Sequence, residues 1–517
     1  MRVPTSSRTS RTKLFGLNER YPPMSRKSVT AGLMAALLCS AAILAGTVPA
    51  VADPPGTVQV LTTDPNGSTR LAASTVSLQS GTSTAATTFT VDTSTTYQSI
   101  VGFGASMTDS SAFLIDERLN STRRAQLMSD LFDPTTGIGI SMLRQPMGAT
   151  DFNAPASGLY TFDDRACNAP DPGQVYFSIA HDQSYILPLL REAQDVSDDI
   201  TFMATPWSPP AWMRDIPSNC TTRGQLGGKL QDQYLASYAQ YFVKFLQGYA
   251  AEGVPISYVT PQNEPTNELL LLPSMEMPAA QAATFIHDYL APAIATAGLD
   301  TDILGWDYVW DQSAGYPTTL LGSAAAPDLA GTAWHCYGGT PDAMSTIHTL
   351  APTKDVFVTE CSGLRTNPPG ELVVTDQAQF KKTMNLFVNS TRNWARSVIL
   401  WNIALDSFDG PNTGCVGCRP LVHIDYSLFE GWVASKQIEY YAVGQVAKWV
   451  RPGAMRVAST TSATGVNNAT FVNTDGSKVL VAVNNSDSTQ TFGVQQGSKW
   501  FSYTLAAGAA ATFRWTT

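Results

Sequence analysis

Eight short apolar runs recur through the middle of the chain, at 99–103, 139–143, 200–204, 256–260, 302–306, 331–335, 355–359 and 397–401. Stretches of helical spacing lie between them, as at 231–251, 279–297, 377–395 and 437–449. Strands that alternate with helices are expected to pair in parallel, because each helix carries the chain back to the start of the next strand. Eight such units close into a (β/α)8 barrel of class α/β, whose chemistry collects at the C-terminal ends of its strands.

The two ends of the chain follow a different pattern. Residues 57–97 are rich in Ser and Thr with alternating apolar positions. Strand-like segments follow the last helix at 469–472, 478–483, 489–494 and 511–515, and Asn473-Thr-Asp-Gly476 reads as a hairpin turn. A β-sandwich side domain built from both ends is expected. The division is then 1–52 as a leader, 53–97 as linker and N-terminal sandwich strands, 98–450 as the barrel and 451–517 as the rest of the sandwich. Residues 53–60 are expected to be a flexible tail.

The leader reading rests on Arg26 and Lys27, an apolar run at 33–45, and Ala50-Val-Ala52 as a small-residue cleavage site. The run is too short to span a bilayer. Met24 stands just before this pattern and is a second candidate start. A secreted, extracellular monomer without stable membrane insertion is expected. From Asp53 onward the chain has 25 basic and 41 acidic residues, a net charge of −16. That balance argues against nucleic acid and anionic membranes as partners.

Six cysteines follow the leader, an even number suited to an oxidising compartment. Cys415-Val-Gly-Cys418 reads as a local disulfide, with a zinc half-site as the alternative that finds no second Cys pair. Cys167 with Cys220 and Cys336 with Cys361 are the remaining pairs, the alternative for the latter being two buried thiols. Neither a metal-ligand spacing nor a phosphate-binding glycine loop stands out, and no cofactor is expected.

Two carboxylates stand at strand ends in a telling relation. Glu264 follows the fourth strand in Thr-Pro-Gln-Asn-Glu-Pro, and Glu360 follows the seventh in Val-Phe-Val-Thr-Glu-Cys. Their 96-residue separation is about three barrel units of about 31 residues each. A lone strand-end Glu is most often a salt-bridge partner or loop anchor. A pair on one barrel mouth is what retaining glycoside hydrolysis needs: one carboxylate to attack the anomeric carbon, one to deliver and then remove a proton. Asn263 beside Glu264 could hold a sugar 2-hydroxyl. Asp109, which follows the first strand, reads as a turn or cap residue outside this set. His181, His287 and His348 read as surface or packing residues, and Trp212, Trp306 and Trp310 as core at least as readily as site.

Several longer segments then resemble glycoside hydrolase family 30. They are Gly102-Phe-Gly-Ala-Ser-Met-Thr-Asp109, Leu143-Arg-Gln-Pro-Met-Gly-Ala-Thr-Asp151-Phe, Thr205-Pro-Trp-Ser-Pro-Pro-Ala-Trp-Met213, Gln262-Asn-Glu-Pro265, Trp334-His-Cys-Tyr-Gly338, Thr359-Glu-Cys361 and Trp401-Asn-Ile-Ala-Leu405. The resemblance covers roughly 97–450, in the family's order. It implies Glu264 as acid/base and Glu360 as nucleophile. It places Arg144 near the nucleophile, where a purely structural cation is the alternative. It places Asp151, Trp207, Asn263 and Trp401 in a sugar pocket, with packing as the alternative for Trp207, and His335 and Tyr337 beside the nucleophile. His335 is equally readable as a structural hydrogen-bonder.

The resemblance implies a carbohydrate substrate, with β-1,6-glucan leading and a glucosylceramide-type β-glucoside, β-galactan or xylan behind it. The loop Thr266-Asn-Glu-Leu-Leu-Leu-Leu272 departs from the family pattern on the leaving-group side; its leucines are a packing element or a lipid-facing lip. A non-catalytic carbohydrate-binding protein is the alternative from another class, opposed by the presence of both Glu.

Overall fold

The structure, a computed structural model, describes residues 56–66, 69–166, 168–215, 226–269, 272–313, 315–365, 374–461 and 465–516. The leader, Cys167 and Cys220 lie outside the described residues.

All eight expected barrel strands are present, in sequence order: Gly102–Ser106, Met142–Pro146, Thr201–Thr205, Tyr258–Val259, Asp302–Val309, Leu329–His335, Asp355–Glu360 and Ala395–Leu405. Each pairs in parallel with the next, and the eighth pairs with both the seventh and the first, which closes the barrel. Several strands begin or end up to four residues from the apolar runs. The barrel floor is filled by Met142, Met203, Leu304, Ala333, Phe357 and Ile399, one buried side chain from each of six strands. Gly104 on the first strand lies tight against the second; a Cβ there would stand 1.8 Å from the Met142 carbonyl oxygen.

The helix at 279–297 is less regular than its spacing suggests. Ala279–Thr284 and Ala291–Thr296 are α-helical, with a π-helical segment Phe285–Leu290 between them. Pro292 accounts for this: it has no N–H to give, and in an unbroken α register its ring would meet the Asp288 carbonyl. A further hairpin not expected from sequence, Cys418–Ser427 with Gly431–Lys436, joins the eighth barrel strand along one side.

The side domain draws on both ends of the chain, as expected. Thr57–Asp64 pairs with Ala510–Trp515, and Thr88–Ser99 pairs with Met455–Ser459 and Gln490–Gln496. Residues 57–60 therefore belong to an ordered strand, contrary to the expected tail: Val58 and Val60 alternate into the sandwich core with Phe89, Leu480, Phe501 and Phe513. Strand Lys478–Asn484 shows how the two domains join. Leu480 and Ala482 face the sandwich, whereas Val479, Val481 and Val483 face the core shared with the barrel. That near-continuous apolar strand is buried on both faces.

The close approach at Gly104 gives a direct test. Gly104→Ala would force apart two hydrogen-bonded backbones, so a destabilisation of about 3 kcal/mol or more is expected, at or above the top of the usual overpacking range. Gly253→Ala, at an exposed turn with open space around its Cβ, should cost only about 1 kcal/mol, for its positive φ. Thermal denaturation of the two variants checks the ranking.

Candidate active site

The barrel's C-terminal mouth is polar because several strands end in groups that satisfy one another. Arg144, on the second strand, is fully buried. It donates from Nη1 to Glu360 Oε2 at 2.5 Å and from Nη2 to Asn263 Oδ1 at 2.8 Å and Asp307 Oδ2 at 3.1 Å. Its guanidinium also lies 4.7 Å from the Trp207 ring centre and 5.5 Å from that of Trp401. Those two indoles are stacked, 5.0 Å apart and 21° from parallel.

Three bulges aim the mouth. The pairing of strands five and six skips Asp307, that of six and seven skips Thr359, and that of eight and one skips Trp401. A bulged residue leaves the strict in-out alternation of its strand. Trp306 and Asp307 both take positive φ, 80° and 70°, and Asp307 is turned inward. There it accepts from Thr359 Oγ1 at 2.6 Å, Thr260 Oγ1 at 2.7 Å and Thr205 Oγ1 at 3.3 Å, besides pairing with Arg144. Burial alone would raise its pKa. The Arg144 charge and the donors around it prevail and hold it well below the usual carboxylate range.

His335 bridges this anchor to Glu264. Its Nε2 is 3.0 Å from Asp307 Oδ1 and its Nδ1 is 3.0 Å from Glu264 Oε1. Burial would pull the imidazole down, but the Glu360 charge and the bonds to Asp307 and Glu264 push it up to about 9. Glu264 itself sits at φ 47°, its amide donating to the Asp307 carbonyl at 3.0 Å and its Oε2 accepting from Asn267 Nδ2 at 2.6 Å. Glu360 Oε1 accepts from the Tyr337 hydroxyl at 2.9 Å.

One donor atom from each of Glu264, His335 and Glu360 lies within 4.8 Å of the other two. Such a triad could in principle hold a metal. Both His335 nitrogens, however, already face carboxylate oxygens, and a ring protonated to about pH 9 offers no lone pair.

Glu264 and Glu360 line a cavity of about 510 Å³ with Asp151, Trp207, Asn263, Tyr337 and Trp401. All nine residues expected from sequence thus come together, seven lining the cavity and Arg144 and His335 directly beneath it. Asp151 is buried against Glu360 and Glu264; burial first, then their charges, push its carboxyl up to about 7. Its backbone oxygen accepts from Thr413 N at 2.7 Å and its Oδ2 from Cys415 N at 3.2 Å, which ties it to the loop after strand eight. That loop carries the Cys415–Cys418 disulfide, and Cys336–Cys361 joins strands six and seven directly behind His335 and Glu360. Both pairings agree with expectation.

Asn267 and Leu272, from the loop expected to border the leaving-group side, also line the cavity; Asp307 was not foreseen, nor were the lining residues Tyr308, Asp311 and Gln312. The one signal for Asp307 was an acid at the end of an apolar run, one residue past where that run was taken to stop. Leu272 closes the rim: a Cβ on Gly414 would stand 2.2 Å from its Cδ2. Leu269 is partly exposed, and the two leucines between them lie outside the described residues. Asp109 is buried away from the cavity, where it accepts from His181, Tyr185 and the Ala154 amide. His287 pairs with Asp328 at the surface, and His348 stacks on Trp394. Trp212, Trp306 and Trp310 are core residues.

A barrel whose mouth sets two glutamates beside a wall of stacked tryptophans has the form of a glycoside hydrolase. Residues 100–450 match the glycosyl hydrolase family 30 TIM-barrel domain and 453–513 the family 30 beta sandwich domain, and the chain belongs to glycoside hydrolase family 30. It is 32% identical to an endo-1,6-β-D-glucanase of Trichoderma harzianum, over 76% of this chain and 79% of that one. It is 29% identical to a putative glucosylceramidase of Caenorhabditis elegans, over 78% of each. A solved endo-β-1,6-glucanase structure superposes with a TM-score of 0.79 at 29% identity, covering 89% of this chain and all of the other. Among the described residues no helix is long and apolar enough to cross a membrane.

The buried acids make stability fall as pH rises. Asp151, Asp163 and Asp182 each hold a proton up to about 7, chiefly through burial, against about 3.9 in an unfolded chain. His335 holds one up to about 9, against about 6.5 unfolded. The folded state thus binds more protons than the unfolded state from about pH 4 to about pH 9, the acids losing their contribution first and His335 last. The depressed Asp307 acts only below about pH 4. Scanning calorimetry should show a higher Tm at about pH 5 than at about pH 8.5; a flat or rising Tm contradicts the assignment.

Proposed function

We propose that the protein is a secreted hydrolase of β-1,6-linked glucan that acts with retention of anomeric configuration. The observation that carries the mechanism is the spacing of the two glutamates, with an oxygen of each within 4.8 Å of the other. Retaining enzymes hold their carboxyl groups about 5–5.5 Å apart, whereas inverting enzymes need about 6.5–9.5 Å to admit a water.

Glu360 acts as nucleophile. Its Oε2 is fixed by Arg144 and its Oε1 by Tyr337, so the side chain is held in one attacking orientation. Glu264, with His335 and Asn267 on its two oxygens, donates a proton to the leaving oxygen and then takes one from water. As Glu264 gives up its proton, the charge that appears meets the His335 N–H. Asn263 has its Oδ1 committed to Arg144, which leaves its NH₂ for a sugar hydroxyl. Trp207 and Trp401 give the sugar ring an apolar wall, and Asp151 takes its hydroxyls at the far end. Asp311 and Gln312 stand on the leaving-group side.

The substrate assignment is supported by the likeness to endo-1,6-β-glucanases in both sequence and structure. A glucosylceramidase-type β-glucosidase is the second reading, favoured by the Caenorhabditis elegans relative and by the apolar side chain of Leu272 on the cavity wall. Secretion is supported by the leader pattern and by the two disulfides.

Glu360→Gln should lower kcat by about 10⁴-fold or more on every substrate. Glu264→Gln should lose about 10²–10⁴-fold on glucan, the usual worth of general acid catalysis, but far less in glycosylation by a dinitrophenyl β-glucoside, whose leaving group needs no proton. Equal losses on both substrates would reverse the roles. Proton NMR of the first product formed from linear β-1,6-glucan should show the β-anomer. Release from glucosylceramide vesicles but not from glucan would select the second reading.

A further inference from the structure

We propose that Asp307 is a positioning residue for both glutamates at once, holding His335 and Arg144 so that each cation faces one carboxylate. The proposal rests on the roles given above to Glu264 and Glu360. Asp307 touches neither glutamate side chain in the hydrogen-bond network. It reaches Glu264 through His335 (3.0 Å and 3.0 Å) and Glu360 through Arg144 (3.1 Å and 2.5 Å). Its own placement is overdetermined: a bulge with two positive-φ residues, three threonine hydroxyls, and no exposure. Backbone strain of this kind persists only where the surroundings enforce it. Here those surroundings are the threonines at the ends of strands three, four and seven.

The Asp307 carboxylate has two oxygens and divides them. Oδ1 takes His335 and Thr359; Oδ2 takes Arg144, Thr260 and Thr205. Its backbone carbonyl also accepts the Glu264 amide at 3.0 Å, so the same residue fixes the acid/base main chain. The groups that face His335 are Glu264 from the loop after strand four, Asp307 and the Tyr308 ring from strand five, Tyr337 from the loop after strand six, and Glu360 from strand seven; Arg144 of strand two lies across Asp307. Removing the Asp307 charge takes a buried anion from beside the imidazole, and the proton on His335 is then lost at lower pH.

The test compares wild type, Asp307→Asn, His335→Gln and the double variant on aryl β-glucosides of graded leaving-group pKa, with full pH profiles. Glu360→Gln and Glu264→Gln run alongside. Asp307→Asn should lose about 100-fold or more in kcat, the scale of a catalytic group displaced by about 1 Å. It should lose this on good and poor leaving groups alike, with the alkaline limb of the profile shifted to lower pH. His335→Gln should lose mainly on poor leaving groups, and the double variant should be no worse than Asp307→Asn. Thr359→Val, which keeps the charge but loosens the anchor, should show a smaller shift of the limb in the same direction and covers the case in which Asp307→Asn does not fold. An unshifted limb in both variants, or additive losses in the double variant, overturns the proposal. Turnover that survives Glu360→Gln would instead overturn the roles on which it rests.

Discussion

A guanidinium with no access to water dominates this fold's functional end. Burying a charge costs several kcal/mol unless partners replace its hydration, and Arg144 gains them from Glu360, Asp307 and Asn263. The two indole faces close the remaining approach. That one requirement links the second, fourth, fifth and seventh strands, and through Trp401 the eighth. The same residues form the cavity floor and wall, so what stabilises the buried cation also shapes the cavity. Removing either carboxylate partner would leave Arg144 with one counter-charge instead of two.

Much of this was legible in the sequence because the barrel writes its rhythm plainly. Apolar runs followed by helical spacing gave all eight strands, and the 96-residue interval placed Glu264 and Glu360 on one rim. The bulges were not legible. A strand read from period-two alternation sends Thr359 and Glu360 to opposite faces, yet the pairing skips Thr359 and both reach the cavity side. Asp307 was missed for the same reason: the apolar run stops at Trp306, and nothing in local composition reveals that two positive-φ residues turn the next side chain inward. The start of the first sandwich strand was misread as a tail: Thr57–Asp64 pairs with the nearby Thr69–Ser77 on one edge, but its place in the sheet is completed by Ala510–Trp515, some 450 residues away, which local sequence does not show.

The rim is built differently from the floor. Loops and a short 3₁₀ turn, Trp310–Gln312, rather than barrel strands supply Asn267, Leu272, Asp311, Gln312 and the residues up to Cys418. Each is tied down by a few local contacts: Asn267 to Glu264, Thr266 to Gln312, Cys415 to Cys418 and to Asp151. Loops held this way can change sequence without disturbing the buried cation beneath them. That division fits the sequence reading, in which the floor segments resemble family 30 while the loop after Glu264 departs from its pattern.

The charge balance of the cavity bears on the proposed mechanism. Four carboxyl groups, Asp151, Glu264, Asp307 and Glu360, face two cations, Arg144 and His335. Asp151 keeps its proton up to about 7, which leaves three acids against two cations below that pH. A retaining hydrolase needs one further proton in the site, ready for the leaving group. With that proton present, the four carboxyl groups and the two cations sum to zero charge. In the proposed mechanism, transfer of the proton to the leaving oxygen and attack by the nucleophile leave the count unchanged: Glu360 would lose its charge to the glycosyl bond as Glu264 acquires one. The negative charge moves from the Arg144 side of Asp307 to the His335 side, between two cations already in place to receive it.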